Sequence, residues 1–536
     1  MKRNTFMEGA FIATFGIFFV KIIGLLYVIP FHALVGENGG ALYGYAYNIY
    51  ALFLSISSAG FPFAVAKIVS EYSALGKHKS ADKAYEVSKK SILAFSIISF
   101  LILFIFAPNF AKLIIGNAGT PQVLNDISFV IRIVSLSILV IPHLSITKGF
   151  LQGHRFIKPR TMSQIIEQIV RIIVILLGAF LCLKVFDLGL TNAIGVAVFG
   201  SFVGGLVALF YLQRKVKRVK SESLINYDES EKVDSTKKIL KKIISYSVPF
   251  IIINAAYNLY TNVDMVLVSR TLLDFLKYDL DKVESILSIY TTWGEKLNMI
   301  VLAISSGIIV SLIPNIVKAY TNKDMNDVNN KFNRALQCVI FISLPITIFL
   351  SLLVEPVWTL FYGPSYYGPL VFKVFVFTGF FNSLYNIVMN SLQGLSKYKL
   401  VLISVGLGLV LNVILDIPLM LLANSLGFEP YYGASIATIL GYSLSLFIAL
   451  KILNKKYHFD YTSTKKKLFD LVYSIGLFII VIQGLKLFIP TNITSRLMQI
   501  PILGTYGIVS FGIYFLVLYL NGILGNIFGK RFQRKK

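Results

Sequence analysis

The chain has 536 residues, of which 56% are hydrophobic and 14% are charged, and its formal net charge is +25. This composition is too apolar for soluble globular domains and predicts an integral membrane protein. The two cysteines, Cys182 and Cys338, lie inside apolar runs, and the five histidines are scattered without ligand spacing. The sequence therefore offers neither a disulfide framework nor evidence of a metal site.

Apolar segments of roughly 20 residues, the length that crosses the hydrocarbon core of a bilayer, recur along the whole chain. The first, Gly9 to Ile29, is too long for a signal peptide and is interpreted as a retained span. The sequence predicts an all-α membrane protein with about fourteen spans. They lie at about 9–29, 42–70, 91–107, 126–147, 161–183, 193–213, 246–269, 290–317, 335–354, 369–392, 400–422, 433–453, 468–489 and 502–527.

The basic residues are distributed unevenly between the two sides of these spans. Most of the 51 Lys and Arg residues fall on the side of the N-terminus, whereas the loops of the other side hold only Lys112, Lys184, Lys277, Lys282 and Arg496. By the positive-inside rule, both termini are predicted to be cytoplasmic. The same bias explains the positive net charge without nucleic acid as a partner.

An internal repeat divides the spans into two sets of six. Leu151-Gln152-Gly153 after span four recurs as Leu392-Gln393-Gly394 after span ten, and Ile56-Ser57-Ser58 resembles Ile304-Ser305-Ser306. Six spans preserve orientation, so two parallel lobes with a cleft are predicted, which favours an alternating-access carrier over a pore or an enzyme. The predicted parts are an N-lobe (1–213), a cytoplasmic linker (214–242) that forms a solvated hinge, a C-lobe (243–453) and two appended helices (468–527).

Charged residues within the predicted spans are candidate substrate ligands. Lys21 lies about twelve residues into span one, too deep to reach water easily, and is the first candidate for an anion ligand. A structural salt bridge is its alternative. Glu167 and Arg171 lie four residues apart on span five, so they can pair along one helical face, and a structural role is favoured for them.

Span seven carries a polar stripe that includes Asn254 and Asn258 and is bordered by Asp264. Five polar groups on one arc indicate a wet cavity more than a simple helix contact. Arg270 and Lys296 lie toward the outer ends of spans seven and eight, where snorkelling is feasible. The set of candidate substrate-binding residues is completed by Asn254, Asn258, Asp264, Arg270 and Lys296.

Glycine and proline interrupt the predicted helices and mark candidate hinges. Gly60 and Pro62 break span two, and Pro314 breaks span eight. Each proline frees a backbone carbonyl that a cavity can use.

The sequence contains one weak signal of catalytic chemistry. Asp279-Leu280-Asp281 could hold a divalent ion in a polytopic sugar transferase, but this loop also carries Lys277, Lys282 and Glu284, which is typical of solvated charge. No ATPase module or cofactor site is predicted. An ion gradient or the membrane potential would then supply the energy for transport.

Three motifs resemble a known family. Val20-Lys21-Ile22-Ile23-Gly24, Ser57-Ser58-Ala59-Gly60-Phe61-Pro62 and Leu151-Gln152-Gly153 are similar to the stage V sporulation protein B group of polysaccharide transporters. That group belongs to the multidrug, oligosaccharidyl-lipid and polysaccharide exporter superfamily. The resemblance covers essentially the whole chain. It implies a bacterial cell membrane protein that exports undecaprenyl-linked saccharides, with membrane lipids and cell-envelope synthesis enzymes as further partners.

Relatives that carry the peptidoglycan precursor lipid II have basic residues in spans one and eight, and the resemblance assigns these roles to Lys21 and Lys296. At two further basic positions of those relatives, this chain has Tyr27 and either Tyr50 or Ala51. The saccharide therefore stays open between lipid II and a teichoic-acid, capsule or exopolysaccharide unit. A cation-coupled drug exporter of the same superfamily is the alternative, but it would want carboxylates where span one offers Lys21.

Overall fold

A computed structural model of the protein describes residues 6–116, 119–224, 231–491 and 493–528. These residues are helical apart from short connections, and no strand occurs among them, which confirms the predicted all-α class. The chain divides into two compact units, unit 1 (Met1–Thr292) and unit 2 (Trp293–Lys536).

Unit 1 begins with the first predicted span and ends after a short helix that precedes span eight. Its α-helices are α1 (Phe6–Leu26), α2 (Val28–Ser58), α3 (Phe61–Ala74), α4 (His78–Ile105), α5 (Ala107–Ile115), α6 (Pro121–Ser135), α7 (Ser137–Gly153), α8 (Ile157–Phe180), α9 (Leu190–Leu224), α10 (Thr236–Arg270) and α11 (Leu280–Ser288). Wider π-helical turns extend α8 at Leu181–Val185 and α10 at Thr271–Phe275, and a third follows α11 at Ile289–Trp293.

Unit 2 contains the remaining helices. They are α12 (Gly294–Thr321), α13 (Met325–Leu352), α14 (Val354–Tyr362), α15 (Tyr367–Gly394), α16 (Tyr398–Ser425), α17 (Pro430–Tyr457), α18 (Thr462–Lys486), α19 (Arg496–Leu520) and α20 (Ile523–Phe528). The predicted appended pair corresponds to α18 and α19. This pair packs on α13, where the Tyr514 hydroxyl donates to the Phe341 carbonyl at 2.9 Å.

Twelve helical segments of the described residues are long and apolar enough to cross a membrane, which shows a multi-pass membrane protein. The predicted spans one and eight coincide with α1 and α12, which are not among these twelve. Fourteen spans therefore remain a prediction.

The unit boundary differs from the lobe boundary expected from the repeat. Helix α10, which corresponds to predicted span seven and opens the expected C-lobe, belongs to unit 1. Helices α9 and α10 also extend into the segment 214–242 that was expected to be a linker. The two-lobe relationship itself stays a prediction.

Residues 231–235, part of the predicted linker, contact α3 and α4 of unit 1. Glu231 accepts hydrogen bonds at 2.8 Å from the backbone amides of Lys79 and Ser80 at the start of α4. The Tyr72 hydroxyl donates to Asp234 at 2.7 Å. Burial disfavours the Glu231 carboxylate, but bonds from the Ser80 hydroxyl and these two amides lower the pKa of Glu231 below its usual range. The segment therefore caps α4.

The repeat motif ends α7 and α15 with the same turn. Leu151-Gln152-Gly153 and Leu392-Gln393-Gly394 close their helices, and two residues beyond each glycine the backbone is left-handed, at Arg155 (φ 66°) and Ser396 (φ 58°). A backbone hydrogen bond of 2.8 Å then runs from the next residue back to the leucine of the motif in both units. The two units thus share local geometry at the place that the sequence indicated.

Candidate functional site

An ionic cluster joins α7 and α8 inside unit 1. The Glu167 carboxylate bridges two cations: Lys148 Nζ lies 2.7 Å from Oε2, and Arg171 Nη2 lies 3.1 Å from Oε1. The three side chains are 13–19% exposed, so they are largely removed from water but still accessible. The pairing of Glu167 with Arg171 follows the predicted four-residue spacing. The structure adds Lys148, which the sequence analysis did not select.

Lys148 escaped prediction because span four was expected to end at residue 147. Helix α7 continues to Gly153, so Lys148 lies within the helix rather than in a loop. Gly149 and Gly153 next to it let α7 approach α3 closely: a Cβ at Gly149 would lie 2.5 Å from the Pro62 carbonyl oxygen. Two small residues four apart are the usual signal for such close helix packing in membranes, and they could have indicated the longer helix.

Lys21 lies at the same level as this cluster. Helix α1 packs along α8, where Gly16 faces Thr161 and a Cβ at Gly24 would lie 3.2 Å from the Gln168 amide nitrogen. The half-buried Lys21 lies between the two glycines, so its backbone is level with the part of α8 that carries Glu167. Unit 1 therefore brings three of the predicted charged residues to two adjacent helices.

Helix α2 presents a row of tyrosines beside this cluster. Tyr43, Tyr47 and Tyr50 lie on one helical face, with ring centroids 5.5 Å apart for the first pair and 5.6 Å for the second. All three side chains lie near the Arg171 guanidinium. Tyr50 is one of the two alternatives noted at a position where lipid II carriers have a basic residue. The cluster thus combines cations with polar hydroxyl groups.

The predicted polar stripe of α10 is largely satisfied by its own helix. The Asn254 and Asn258 side-chain amides each donate to the carbonyl four residues earlier, at 2.8 and 2.9 Å. Asn262 does the same at 2.8 Å and also donates to the Asn48 carbonyl on α2 at 3.2 Å. Asn254 and Asn258 are half-buried. The stripe therefore connects α10 to α2 at one end and leaves the substrate role of these asparagines a prediction.

Asp264 and Arg270 lie further along α10. Asp264 is 6% exposed and so belongs to the interior of unit 1. The Arg270 guanidinium donates to the Lys112 and Leu113 carbonyls at 3.0 Å and pairs with Asp274 at 3.2 Å. These carbonyls end the short helix α5, where a cation is favoured by the helix dipole. This geometry gives Arg270 a capping role, and its predicted substrate role is untested.

Lys296 is half-buried on α12 and belongs to unit 2. Two residues further on, the buried Asn298 side-chain amide donates to the Thr378 hydroxyl at 3.2 Å on α15. Lys296 therefore neighbours a polar contact between two helices of unit 2.

The predicted hinge at Gly60 coincides with a break between two helices. Helix α2 ends at Ser58 and α3 begins at Phe61, with Pro62 in the first turn. A Cβ at Gly60 would overlap the Ser247 backbone of α10, so only glycine fits this contact. Pro314 lies within α12, and its side chain is outside the described residues. The hinge role of these positions stays a prediction.

Comparison with known proteins identifies relatives of the chain. Residues 6–320 match the family model described as polysaccharide biosynthesis protein. The chain is 31% identical to the lipid II flippase MurJ of Bacillus subtilis (strain 168) over 536 residues, covering 98% of this chain and 97% of the relative. It is 26% identical to stage V sporulation protein B of the same organism over 255 residues, 46% of each chain.

A solved structure shares the fold. The lipid II flippase MurJ in an inward closed conformation superposes with a TM-score of 0.64, covering 95% of this chain and 98% of that chain at 18% identity. Together with the sequence relatives, this confirms the resemblance that the motifs of α1, α2 and α7 indicated.

Proposed function

The chain belongs to the polysaccharide biosynthesis protein family, and on this premise we propose that it carries a lipid-linked saccharide from the cytoplasmic to the outer leaflet of a bacterial cell membrane. The single observation that carries the proposal is the 31% identity to a lipid II flippase over 98% of the chain. The multi-pass helical fold agrees with a membrane carrier, and the similarity to a flippase favours a carrier over a sugar transferase. Both termini lie in the cytoplasm in this proposal, in agreement with the positive-inside rule.

The proposed cargo carries a diphosphate between its prenyl tail and its sugar. Such an anion cannot cross about 30 Å of hydrocarbon bare, and cationic side chains in a water-filled cleft offset its desolvation. Lys21 and Lys296 are the proposed ligands, with the prenyl tail remaining in lipid. Lysine suits a cargo that must leave, because its ammonium is a single strongly hydrated charge without the bidentate grip of arginine.

Transport would proceed by alternating access and take its energy from an ion gradient or the membrane potential. A cleft open to the cytoplasm would admit the head group, and a change of conformation would expose the sugar outside. Enzymes that synthesise and polymerise cell-envelope saccharides are the expected suppliers and consumers of this cargo.

Depleting the protein in its host tests this proposal. Without the carrier its cargo cannot leave the cytoplasmic leaflet, so one undecaprenyl-linked saccharide should accumulate there. The chemical structure of that lipid identifies the substrate. A plasmid-borne copy of the protein should reverse the accumulation and serves as the control. If no lipid-linked saccharide accumulates and the cells instead become sensitive to cationic drugs, the proposal is wrong and the exporter alternative is supported.

A further inference from the structure

The cluster of Lys148, Glu167 and Arg171 carries an excess positive charge. One carboxylate faces two cations, each at its own oxygen, and among the described residues Lys148 and Arg171 form no other ion pair. Burying a charge in a membrane protein is costly unless it is compensated. A cluster that served only to join α7 and α8 would therefore be more stable if neutral.

Arg171 retains a donor that the cluster does not use. Its Nη2 binds Glu167, whereas its Nε is buried without a hydrogen-bond partner among the described residues. A buried guanidinium N–H that is left unpaired costs free energy. The planar fork of arginine matches two oxygens of a phosphate, so a phosphate could use the donor that is now unpaired.

The surroundings of Arg171 suit an anion that enters and leaves. Tyr43, Tyr47 and Tyr50 place hydroxyl groups near the guanidinium, and hydroxyl groups can donate to phosphate oxygens. Lys21 lies at the level of Glu167 on the adjacent helix α1. The remaining exposure of 13–19% leaves the three cluster side chains accessible.

We propose that this cluster is a binding site for a phosphate or diphosphate group in which Glu167 acts as a built-in competitor. In the empty protein, Glu167 neutralises Lys148 and Arg171 and so lowers the cost of burying two cations. An arriving phosphate displaces the carboxylate from one or both cations, and Glu167 displaces the phosphate again when the cargo leaves. This proposal deepens and rests on the proposed function, because it assigns the diphosphate of the cargo to residues of α7 and α8.

Amide and charge variants separate this site from a purely structural ion cluster. In a structural cluster, Glu167→Gln removes the compensation of two cations, so it lowers stability and gains no ligand affinity. In a competitor site, the same substitution removes the anion that holds the cations, so a phosphate binds more tightly. Arg171→Gln weakens phosphate binding in the competitor site only.

The test measures the binding of farnesyl diphosphate to the full-length purified protein by calorimetry in one detergent. We expect Glu167→Gln to tighten binding about fivefold and Arg171→Gln to weaken it about tenfold, the scale of one charged hydrogen bond. Glu86→Gln is the matched control, because Glu86 also pairs with two lysines, Lys220 at 2.7 Å and Lys89 at 3.8 Å, but its side chain is 48% exposed. It should leave binding unchanged.

Glu167→Asp keeps the test decisive if Glu167→Gln does not fold. Its shorter side chain preserves the charge but cannot bridge both cations as the glutamate does, so binding should tighten by a smaller factor. Unchanged or weaker binding in both carboxylate variants overturns the inference. Because the assay needs no transport, tighter binding in Glu167→Gln together with no accumulated saccharide on depletion would reject the proposed function alone.

Discussion

Single residues of unit 1 show how charge is accommodated within apolar helices. Glu167 compensates Lys148 and Arg171, and Arg270 binds the carbonyls that end α5. In each case a charge that would be costly in lipid has a partner of opposite sign or a helix end. A buried charge that has such a partner can be stable, whereas a buried charge without one destabilises the protein.

Glu284 on α11 is the opposite case and gives a prediction on pH. Burial, aided by the negative charges of Asp281 and Asp126, raises the pKa of Glu284 to about 7. The folded protein therefore holds this proton over a pH range in which the unfolded chain has released it. Stability should fall as the pH rises from about 4.5 to about 7, and the loss should be complete above that range.

Glu284→Gln should remove this pH dependence. At pH 8 the variant should be more stable than the wild type by about 1 kcal/mol, since one pKa unit corresponds to about 1.4 kcal/mol and a half-buried carboxyl is partly screened. Thermal unfolding at pH 5 and pH 8 measures this change in stability. Asp187→Asn, at an exposed position, is the control and should keep the pH dependence of the wild type. An equal loss of stability with pH in Glu284→Gln and wild type would show that another group is responsible.

The sequence predicted which charged residues lie in the helices better than it predicted the partners that surround them. The Glu167–Arg171 pair follows from spacing along one helix, whereas Lys148 comes from α7 and could not be placed before the end of that helix was known. Likewise the stripe on α10 was visible, but its amides donate to carbonyls of their own helix, which composition cannot show.

At the scale of helices, the interruption of predicted span two has a packing reason as well as a sequence signal. Ala59 and Gly60 separate α2 from α3, and Gly60 touches the backbone of α10 at Ser247. The repeated serines also form equivalent bonds, with Ser57-Ser58 donating to Leu54 and Ser305-Ser306 donating to Leu302. The sequence located both features because small and polar residues stand out in apolar helices.

Gly60→Ala should destabilise the protein by about 1–3 kcal/mol, because the added methyl group overlaps backbone atoms that cannot rotate away. Gly406→Ala on α16 is the matched control, since nothing lies within 4 Å of its added Cβ and alanine favours a helix. The thermal unfolding of both purified variants in one detergent measures the effect. Equal midpoints for Gly60→Ala and Gly406→Ala would contradict the close approach of α3 and α10.

At the scale of the whole molecule, hydropathy predicted the helical membrane class and the order of the helices. It did not predict that α10 belongs to unit 1, because unit membership depends on side-chain contacts such as Asn262 to the Asn48 carbonyl and not on the apolar pattern. Nor did it predict how far α9 and α10 extend beyond their apolar parts. Charged helix ends look like loops in a hydropathy profile.

In the proposed function, a cationic site in the helices carries an anionic lipid-linked saccharide across the bilayer. The most direct measurement is the rate at which a labelled lipid-linked saccharide changes leaflet in proteoliposomes. We expect the wild type to move the lipid and Lys21→Ala to fold normally but not to move it. Lys21→Arg should retain part of the rate, and Lys296→Ala should lower the rate less than Lys21→Ala does. Transport by Lys21→Ala at the wild-type rate, or no transport by folded wild-type protein, would contradict these expectations.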